Sequence, residues 1–361
     1  MFFVIRFVDS NYKKMSIFIA KFMQEKEVTI YDIARELDLA SSTISRALKN
    51  DPKVKLKTRN KVHQMAQKMG YQTNPFARSL RNKRSFLIGI IIPRLTNHFV
   101  SSAISGIEDM LSVKGYNIII GQTYGQPDKE ISALKMLMDN RVDGLLVSLA
   151  DQTKSPDHID LSTKNKIPLI FFDHVPDATD NSVIIIDHMQ AAYMATRHLI
   201  ETGCKKIAHV TTGVSHGIYA DKYAGYKKAL SESDKKLKEE LLIFNDLSSI
   251  ESGRQVAEHL LKMSKPPDGL FFENDHSAAG CIAGLKKAGR NIPDDIAIVG
   301  FNDEPVATLI DPNLSSIAYS GYEIGRVAAQ NILLQIENPE MPKISKTVLP
   351  ARLIVRESSM R

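Results

Sequence analysis

The chain contains no tryptophan, only two cysteines, and no apolar run approaching the ~20 residues that a bilayer-spanning helix needs. Each shortage argues against a class of protein. Cys204 and Cys281 stand far apart, with neither a CxxC pair nor a Cys/His metal spacing, so neither a disulfide scaffold nor a zinc finger is expected and the reducing cytosol is the natural home. The opening "MFFVIRFVDSNYKKMSIFIAKFM" has apolar stretches, but Arg6, Asp9, Lys13 and Lys14 interrupt them and no small-residue cleavage site follows, which speaks against a secretion signal. Residues 1–26 are expected to be an extension, either disordered or a mis-annotated start with Met23 as the working one.

Catalytic signatures are missing too. No GxGxxG follows a strand-like run, and there is no GxxxxGK[ST], HExxH or GxSxG. The ten histidines are scattered, and His188 and His198, ten residues apart on one helical stretch, cannot form a chelating pair, so surface or cap roles are expected of them. The expectation is a protein that is no enzyme and takes no cofactor and no metal.

What is present is ordinary globular composition, 43% apolar and 24% charged over 361 residues, enough for two or three packed units. The net charge of +6 is unevenly spread. Residues 27–84 carry 13 Lys and Arg against 5 Asp and Glu, whereas residues 85–361 carry 29 against 34. Positive charge is therefore concentrated near one end, as expected where that end meets a polyanion.

Within the basic segment, "VTIYDIARELDLASSTISRALKN" (28–50) holds two short amphipathic patterns. Ile30, Ile33, Ala34 and Leu37 fall at i, i+3, i+4 and i+7 with Thr29 at the N-cap position, and after "DLAS" the residues Ile44, Ala47 and Leu48 repeat the spacing. The other face of the second helix carries Ser41, Ser42, Ser45 and Arg46, a polar surface that suits the edges of bases in a major groove about 12 Å wide. A third helix has the stripe Val62, Met65, Ala66 and Met69, with Thr58 placed to cap it and Gly70 to end it. Lys55, Lys57, Arg59 and Lys61 crowd its N-terminus, where the helix dipole disfavours cations; by itself this could equally be a solvated basic turn or a site where a docked phosphate reverses the penalty, and the helix pair next door favours phosphate. In "YQTNPFARSLRNKRS", Asn74 and Pro75 can start a helix that lasts only to about Leu80. Too short to stand alone in water, that segment is either a basic tether or a helix completed by its copy in a dimer over a minor groove, where Leu80 could wedge between base steps.

From residue 86 the pattern changes. Eight apolar runs, "FLIGIII", "NIIIG", "GLLVSLA", "IPLIFFD", "VIIID", "KIAHVTT", "GLFFEND" and "IAIVGFND", alternate with helical patterns such as "AISGIEDMLSVKG", "AAYMATRHLIETG" and "GRQVAEHLLKMS". Such alternation predicts parallel, doubly wound sheets, and eight or more strands over ~275 residues divide more comfortably into two subdomains than one. Ligands bind beyond the carboxyl ends of such strands, and polar residues gather there: Asp173, Asn274 with Asp275, and Asn302 with Asp303. Any one of them could be turn chemistry; together they suit a polyhydroxylated ligand. Without tryptophan, stacking against a sugar face falls to Phe99, Phe172 or a tyrosine.

Taken in order, "VTIYDIARELDLASSTISRAL", "VKLKTRNKV" and "GYQTNPFARSLR" resemble the helix-turn-helix headpiece and hinge helix of the LacI/GalR family of bacterial transcription regulators, and the similarity runs from about residue 27 to 357. The resemblance implies that Thr29 and Tyr31 touch phosphates, that Ser41, Ser42 and Arg46 read bases, and that Thr43, Ser45 and Thr58 help to place the DNA backbone. It puts Asn74, Ala77 and Leu80 in a minor-groove hinge. It places an effector between periplasmic-binding-protein-like subdomains, in contact with Asn97, Phe99, Asp173, Lys222 (in "YADKYAGY"), Asn274 and Asn302. Four positions depart from the family's habit. Ala40 replaces Ser, which would shift the cap or contact to Ser41; Thr73 replaces Pro; Lys222 replaces Arg; and Asn302 replaces Asp.

The expected architecture is thus a small all-α helix-turn-helix headpiece (27–72), a hinge helix and linker (73–85), and an α/β periplasmic-binding-protein-like domain of two doubly wound subdomains (86–361). The expected function is sequence-specific repression, less often activation, by a cytoplasmic homodimer on a pseudo-palindromic double-stranded DNA operator, controlled by a small-molecule effector, a sugar first of all. No membrane association is expected, and by resemblance the ending "LPARLIVRESSMR" lacks the coil that makes some relatives tetramers. A solute-binding receptor would share the cleft but needs export and has no use for a basic headpiece; a sugar-modifying enzyme would need a nucleophile or base pair that the sequence does not offer.

Overall fold

The structure, a computed structural model of the chain, describes residues 28–71, 84–150, 152–153, 157–159, 167–214, 217–245, 249–340 and 346–361. The chain divides into two compact units, Met1–Lys83 and Arg84–Arg361.

In the first unit, three helices, α1 (Ile30–Leu37), α2 (Ser41–Leu48) and α3 (Leu56–Lys68), close over Ile33, Leu37, Ile44, Ala47, Val54, Val62 and Ala66. The expected stripes are the buried ones. Thr29 is the N-cap of α1, its N–H and hydroxyl both donating to Asp32 Oδ2 at 2.9 and 2.7 Å. Asp38 at φ 52° turns the chain between α1 and α2, a conformation that Asp tolerates better than most residues. Gly70 at φ 68° ends α3, with Tyr71 N–H returned to the Ala66 carbonyl. Two cap expectations fail. The N-cap of α2 is Ala40, not Ser41, and α3 starts at Leu56 behind Lys55, so Thr58 lies inside the helix. Lys55 carries no short polar side chain, and neither α2 nor α3 has a side-chain cap. Asn74, Ala77 and Leu80, the hinge residues, lie outside the described residues.

The second unit contains two six-stranded sheets. The first lobe holds β1 (Leu87–Ile92), β2 (Asn117–Gln122), β3 (Gly144–Val147), β4 (Leu169–Phe172) and β5 (Ser182–Ile186), with α4 (His98–Ser112) and α5 (Pro127–Asp139). The second holds β6 (Ile207–Thr211), β7 (Leu242–Phe244), β8 (Gly269–Phe272), β9 (Ala297–Asn302) and β10 (Ser315–Ala318), with α6 (His188–Glu201), α7 (Gly217–Glu232), α8 (Ile250–Lys262), α9 (Asp275–Lys287) and the short α10 (Val306–Leu309). Then α11 (Gly321–Glu337) returns to pack on α4 in the first lobe, β11 (Lys346–Leu349) joins the first sheet, and β12 (Arg352–Ile354) joins the second. The strand orders, β2-β1-β3-β4-β5-β11 and β7-β6-β8-β9-β10-β12, repeat one another, and every pairing is parallel except β10 with β12. The chain therefore passes between lobes three times, at 186–188, 318–321 and 349–352.

Alternation along the strands sorts the cores. Ile88, Ile90, Ile92, Leu146, Ile170 and Phe172 face α4 and α11, while Ile91, Leu145, Val147, Leu169 and Phe171 face α5. Burial on both faces is what makes these strands near-continuous apolar runs. All eight runs are strands. Of the four unforeseen ones, β7, β11 and β12 lie at sheet edges and are largely exposed or half-buried, so burial on both faces leaves no trace in them, and β10 is half serine.

Candidate functional site

Where β1, β4, β6, β8 and β9 end, their carboxyl-terminal residues surround a cavity of about 190 Å³ between the lobes. All six residues expected to touch an effector line it: Asn97 and Phe99 after β1, Asp173 after β4, Lys222 on α7, Asn274 after β8 and Asn302 closing β9. Two of them sit in strained backbone. Asp173 holds φ 60° and Asn302 φ 103°, positions that cost a side-chain-bearing residue about 1–3 kcal/mol and persist where the surroundings enforce them.

The turn-chemistry account and the site account both hold for Asn97 and Asn274. Asn97 caps α4, its Oδ1 accepting from Phe99 N (2.9 Å) and Val100 N (3.4 Å), and Asn274 caps α9 through His276 N (2.9 Å) and Ser277 N (3.3 Å). Capping fixes Oδ1 and leaves each amide nitrogen for another acceptor. Asn302 Oδ1 accepts from Tyr319 OH at 2.8 Å, and Ser148 Oγ lies 3.4 Å from Asp173 Oδ2. Phe99 and Tyr319 pack with their rings tilted by 45° at 5.1 Å and both line the cavity, as does Tyr219. Phe172 does not: it is fully buried in β4, on the face turned to α4 and α11.

Two strand-end carboxylates also fall outside the cavity lining. Asp275 is fully buried, accepting from Ser316 Oγ and Glu304 N, each at 2.7 Å, and burial pushes its carboxyl up to about 8 against those two hydrogen bonds. Asp303 pairs with Arg356 at 2.7 Å. Both brace the loop that carries Asn302. His188, expected at the surface or as a cap, is instead 4% exposed and stacked on Phe301 at 6.1 Å, while Asp187 caps α6. Burial first, then the nearby Lys222 and His174, hold His188 well below the usual imidazole range.

Lys222 is the cavity's buried cation, 4% exposed, with Nζ 4.2 Å above the Phe301 ring and 5.7 Å from that of Tyr219. Burial lowers its pKa, although Glu273 and Asp173 pull it back up. Glu273, also on the cavity, carries a sequence signal of its own, since it stands inside the strand-end run "GLFFEND" one residue before Asn274. Tyr319 had no such signal, since it follows the unforeseen β10.

In the headpiece, Ser42 and Arg46 are exposed one turn apart on α2, and Tyr31 is 66% exposed on α1. Ser41, Thr43, Ser45 and Thr58 are half-buried. Thr29 is exposed but gives its hydroxyl proton to Asp32, so a phosphate contact through Oγ1 requires that bond to be exchanged. Lys55, Lys57 and Lys61 are exposed at the start of α3, whose first turn holds no acidic residue, and Arg59 donates to the Asn50 carbonyl at 3.0 Å, tying the preceding loop to the helix. The result is one basic rim beside one polar helix, the arrangement that separates phosphate positioning from base reading. Among the described residues no helix is long and apolar enough to cross a membrane, and no group of three or more His, Cys, Asp or Glu could hold a metal ion.

Comparisons with known proteins match these two surfaces to two families of sequence. Residues 29–74 match the model of bacterial regulatory proteins of the lacI family, and residues 196–359 that of a periplasmic binding protein-like domain. Catabolite control protein A of Priestia megaterium is 33% identical over 333 residues, covering 92% of this chain and 99% of that protein. The lac repressor dimer bound to operator and the anti-inducer ONPF has the same fold, with a TM-score of 0.84 at 24% identity over 93% of this chain and 100% of the other. A LacI-family regulator from Enterococcus faecium with bound ribose gives a TM-score of 0.68 at 28% identity, over 76% of this chain and 98% of the other. Its relatives are regulators rather than enzymes, and the chain belongs to the lacI family of bacterial regulatory proteins, DNA-binding transcriptional regulators that carry an effector-binding domain.

Proposed function

We propose that this regulator is a cytoplasmic homodimeric repressor that binds a pseudo-palindromic operator through two headpieces, and that a small molecule, a sugar, bound in the cleft sets its operator affinity. The observation that carries this reading is the convergence of Asn97, Phe99, Asp173, Lys222, Asn274 and Asn302 on one cavity drawn from both lobes. The ribose-bound regulator from Enterococcus faecium supports the choice of ligand class. Ser41, Ser42 and Arg46 would read bases; Tyr31, Thr43, Ser45, Thr58 and the α3 lysines would hold phosphates; Asn74, Ala77 and Leu80 would enter the minor groove. Repression is the simplest output of a protein that occupies its site with its own headpieces. Effector and operator would be coupled through the angle between the lobes, by about 1–3 kcal/mol, or 5- to 150-fold in affinity.

The test selects binding sites for the full chain from random-sequence DNA, then titrates the selected duplex by fluorescence anisotropy across salt concentrations and against a panel of sugars, sugar phosphates and nucleosides. A near-palindromic consensus, an affinity falling steeply with salt and a 5-fold or larger response to one sugar are expected. Sequence-blind binding, or an operator affinity that no compound alters, would overturn the reading.

A further inference from the structure

Glu273 lines the cavity at the end of β8 and is 3% exposed. Its two oxygens are unequal. Oε1 is hydrogen-bonded to His209 Nε2 at 2.6 Å, whereas Oε2, closed off from solvent in this structure, has no hydrogen-bond partner among the described residues. The histidine is not free to follow the carboxylate, since its ring is stacked on Phe271 at 5.0 Å and packed against Tyr226 at 5.1 Å. On the same cavity Lys222, equally buried, makes ring contacts but neither an ion pair nor a hydrogen bond to another described residue.

One cavity is thus lined by a carboxylate with one oxygen still free to accept and by an ammonium group free to donate. A ligand that completes the site must accept from Nζ and donate to Oε2. Ionised phosphate and carboxylate groups only accept, so they would serve Lys222, and Arg94 at the cavity's exposed edge, while setting like charge against the buried Glu273 and Asp173. Ammonium groups only donate, and would face Lys222. A hydroxyl does both, and neighbouring hydroxyls on one ring do so at two places. We propose that Glu273 is a specificity-determining residue of the cleft: its Oε2 accepts a hydrogen bond from a ligand hydroxyl while Lys222 donates to the same or the adjacent oxygen, so the cleft takes uncharged polyhydroxylated molecules and rejects their phosphate and carboxylate forms. This rests on the cleft being the effector site.

The experiment uses the full chain and a panel of ribose, glucose and cellobiose with their phosphates, uronic acids and monodeoxy derivatives, screened by thermal shift and measured by calorimetric titration. An uncharged sugar should bind at least 100-fold more tightly than its phosphate. Glu273→Gln, which keeps the size of the side chain, should weaken that sugar about 10- to 100-fold, the worth of a hydrogen bond to a charged group. One monodeoxy derivative should lose the same factor on the unaltered chain and nothing further on Glu273→Gln, a comparison that does not depend on how stable the variant is. A phosphate binding as tightly as its parent, or a Glu273→Gln chain with undiminished affinity, overturns the assignment while leaving the effector site standing. If no compound of any class binds, the effector reading itself falls, and this assignment with it.

Discussion

Replacing Lys222 with methionine should make the ligand-free protein more stable and its cleft inert. The charge on Nζ is desolvated, and its pKa is lowered even after Glu273 and Asp173 have drawn it upward. That direction is the net of every field acting at the group, so the folded state disfavours the cation. Offsetting part of that cost are the carboxylates of Glu273 and Asp173 and the contact with the Phe301 ring at 4.2 Å, the latter worth about 0.5–2 kcal/mol, of which methionine's sulfur recovers a part against the same ring. Exchanging a whole buried ion pair for apolar groups of similar volume is neutral or gains about 1–4 kcal/mol, and Lys222, which makes no ion pair to a described residue, leaves no bonded partner behind when it is exchanged. For a unit of this size the lower half of that range raises the melting temperature by about 2–6 °C. Scanning calorimetry of both chains at pH 7, with and without a sugar identified by the screen, reads the two effects together. A higher ligand-free transition with no ligand-induced shift is expected. A lower transition would show that Lys222 serves the fold's own electrostatics, and the view of it as a group held ready for a ligand would be wrong.

Three further outcomes are expected. Arg46→Ala, an exposed position on α2, should cost about 1–3 kcal/mol on the selected operator and relax base preference there; an equal loss on random duplex would reduce Arg46 to a phosphate contact. Ile44→Ala empties a fully buried position in a core of seven buried side chains, at a cost of about 2–5 kcal/mol that rivals the whole stability of so small a unit; DNA binding and the headpiece's amide dispersion should vanish while the transition of the larger unit stays put, and a shared loss would refute separate folding. Asp275, with its carboxyl at about 8 in the fold against an ordinary 3.8, keeps its proton in the folded state where the unfolded chain releases it. Its contribution to stability should therefore fall by up to about 1.4 kcal/mol per pH unit from pH 4 to 8 and then level. His188 works in the opposite sense, because the unfolded chain takes up a proton below pH 6.5 that the fold refuses. Between pH 6.5 and 8, Asp275→Asn should show a flatter melting profile than the unaltered chain, and an identical slope would reject the buried carboxyl as its source.

Much of the fold was legible because burial on two faces leaves a strong trace. A run such as "GLFFEND" or "IAIVGFND" has no reason to be apolar throughout unless helices cover both sides of its strand. β10 left no such trace, because Ser315 and Ser316 are buried as hydrogen-bonding groups, Ser315 to the Ser358 hydroxyl and the Arg356 carbonyl, Ser316 to Asp275. These partners come from 41 to 44 positions away, a distance at which local pattern carries nothing. The site showed the same division. Asp173, Asn274 and Asn302 announced themselves as polar ends of apolar runs, and the family resemblance supplied Asn97, Phe99 and Lys222. The expected caps at Ser41 and Thr58 failed because tertiary packing and the position of the preceding turn, not side-chain capping, set where α2 and α3 begin.

The distribution of the cavity's groups decides what a ligand can do as well as what it must be. Asn97, Phe99 and Asp173 belong to the first lobe, Lys222, Glu273, Asn274 and Asn302 to the second, and only three short connections join the lobes. A ligand shifts a conformational equilibrium only by its difference in affinity for the two states. A molecule that touches one lobe alone meets the same groups whatever the angle between lobes, so its affinity carries no difference and DNA binding should not respond. One that spans from Asp173 to Lys222 and Glu273 keeps all its contacts at a single angle and loses some at any other. Sugars too short to reach both lobes should therefore bind as competitors without effect on operator affinity, and those that reach both should act. Operator titrations with a short polyol such as glycerol beside the active sugar measure this directly: a short competitor that shifts operator affinity as far as the active sugar would mean that the lobe angle is not what the cleft transmits.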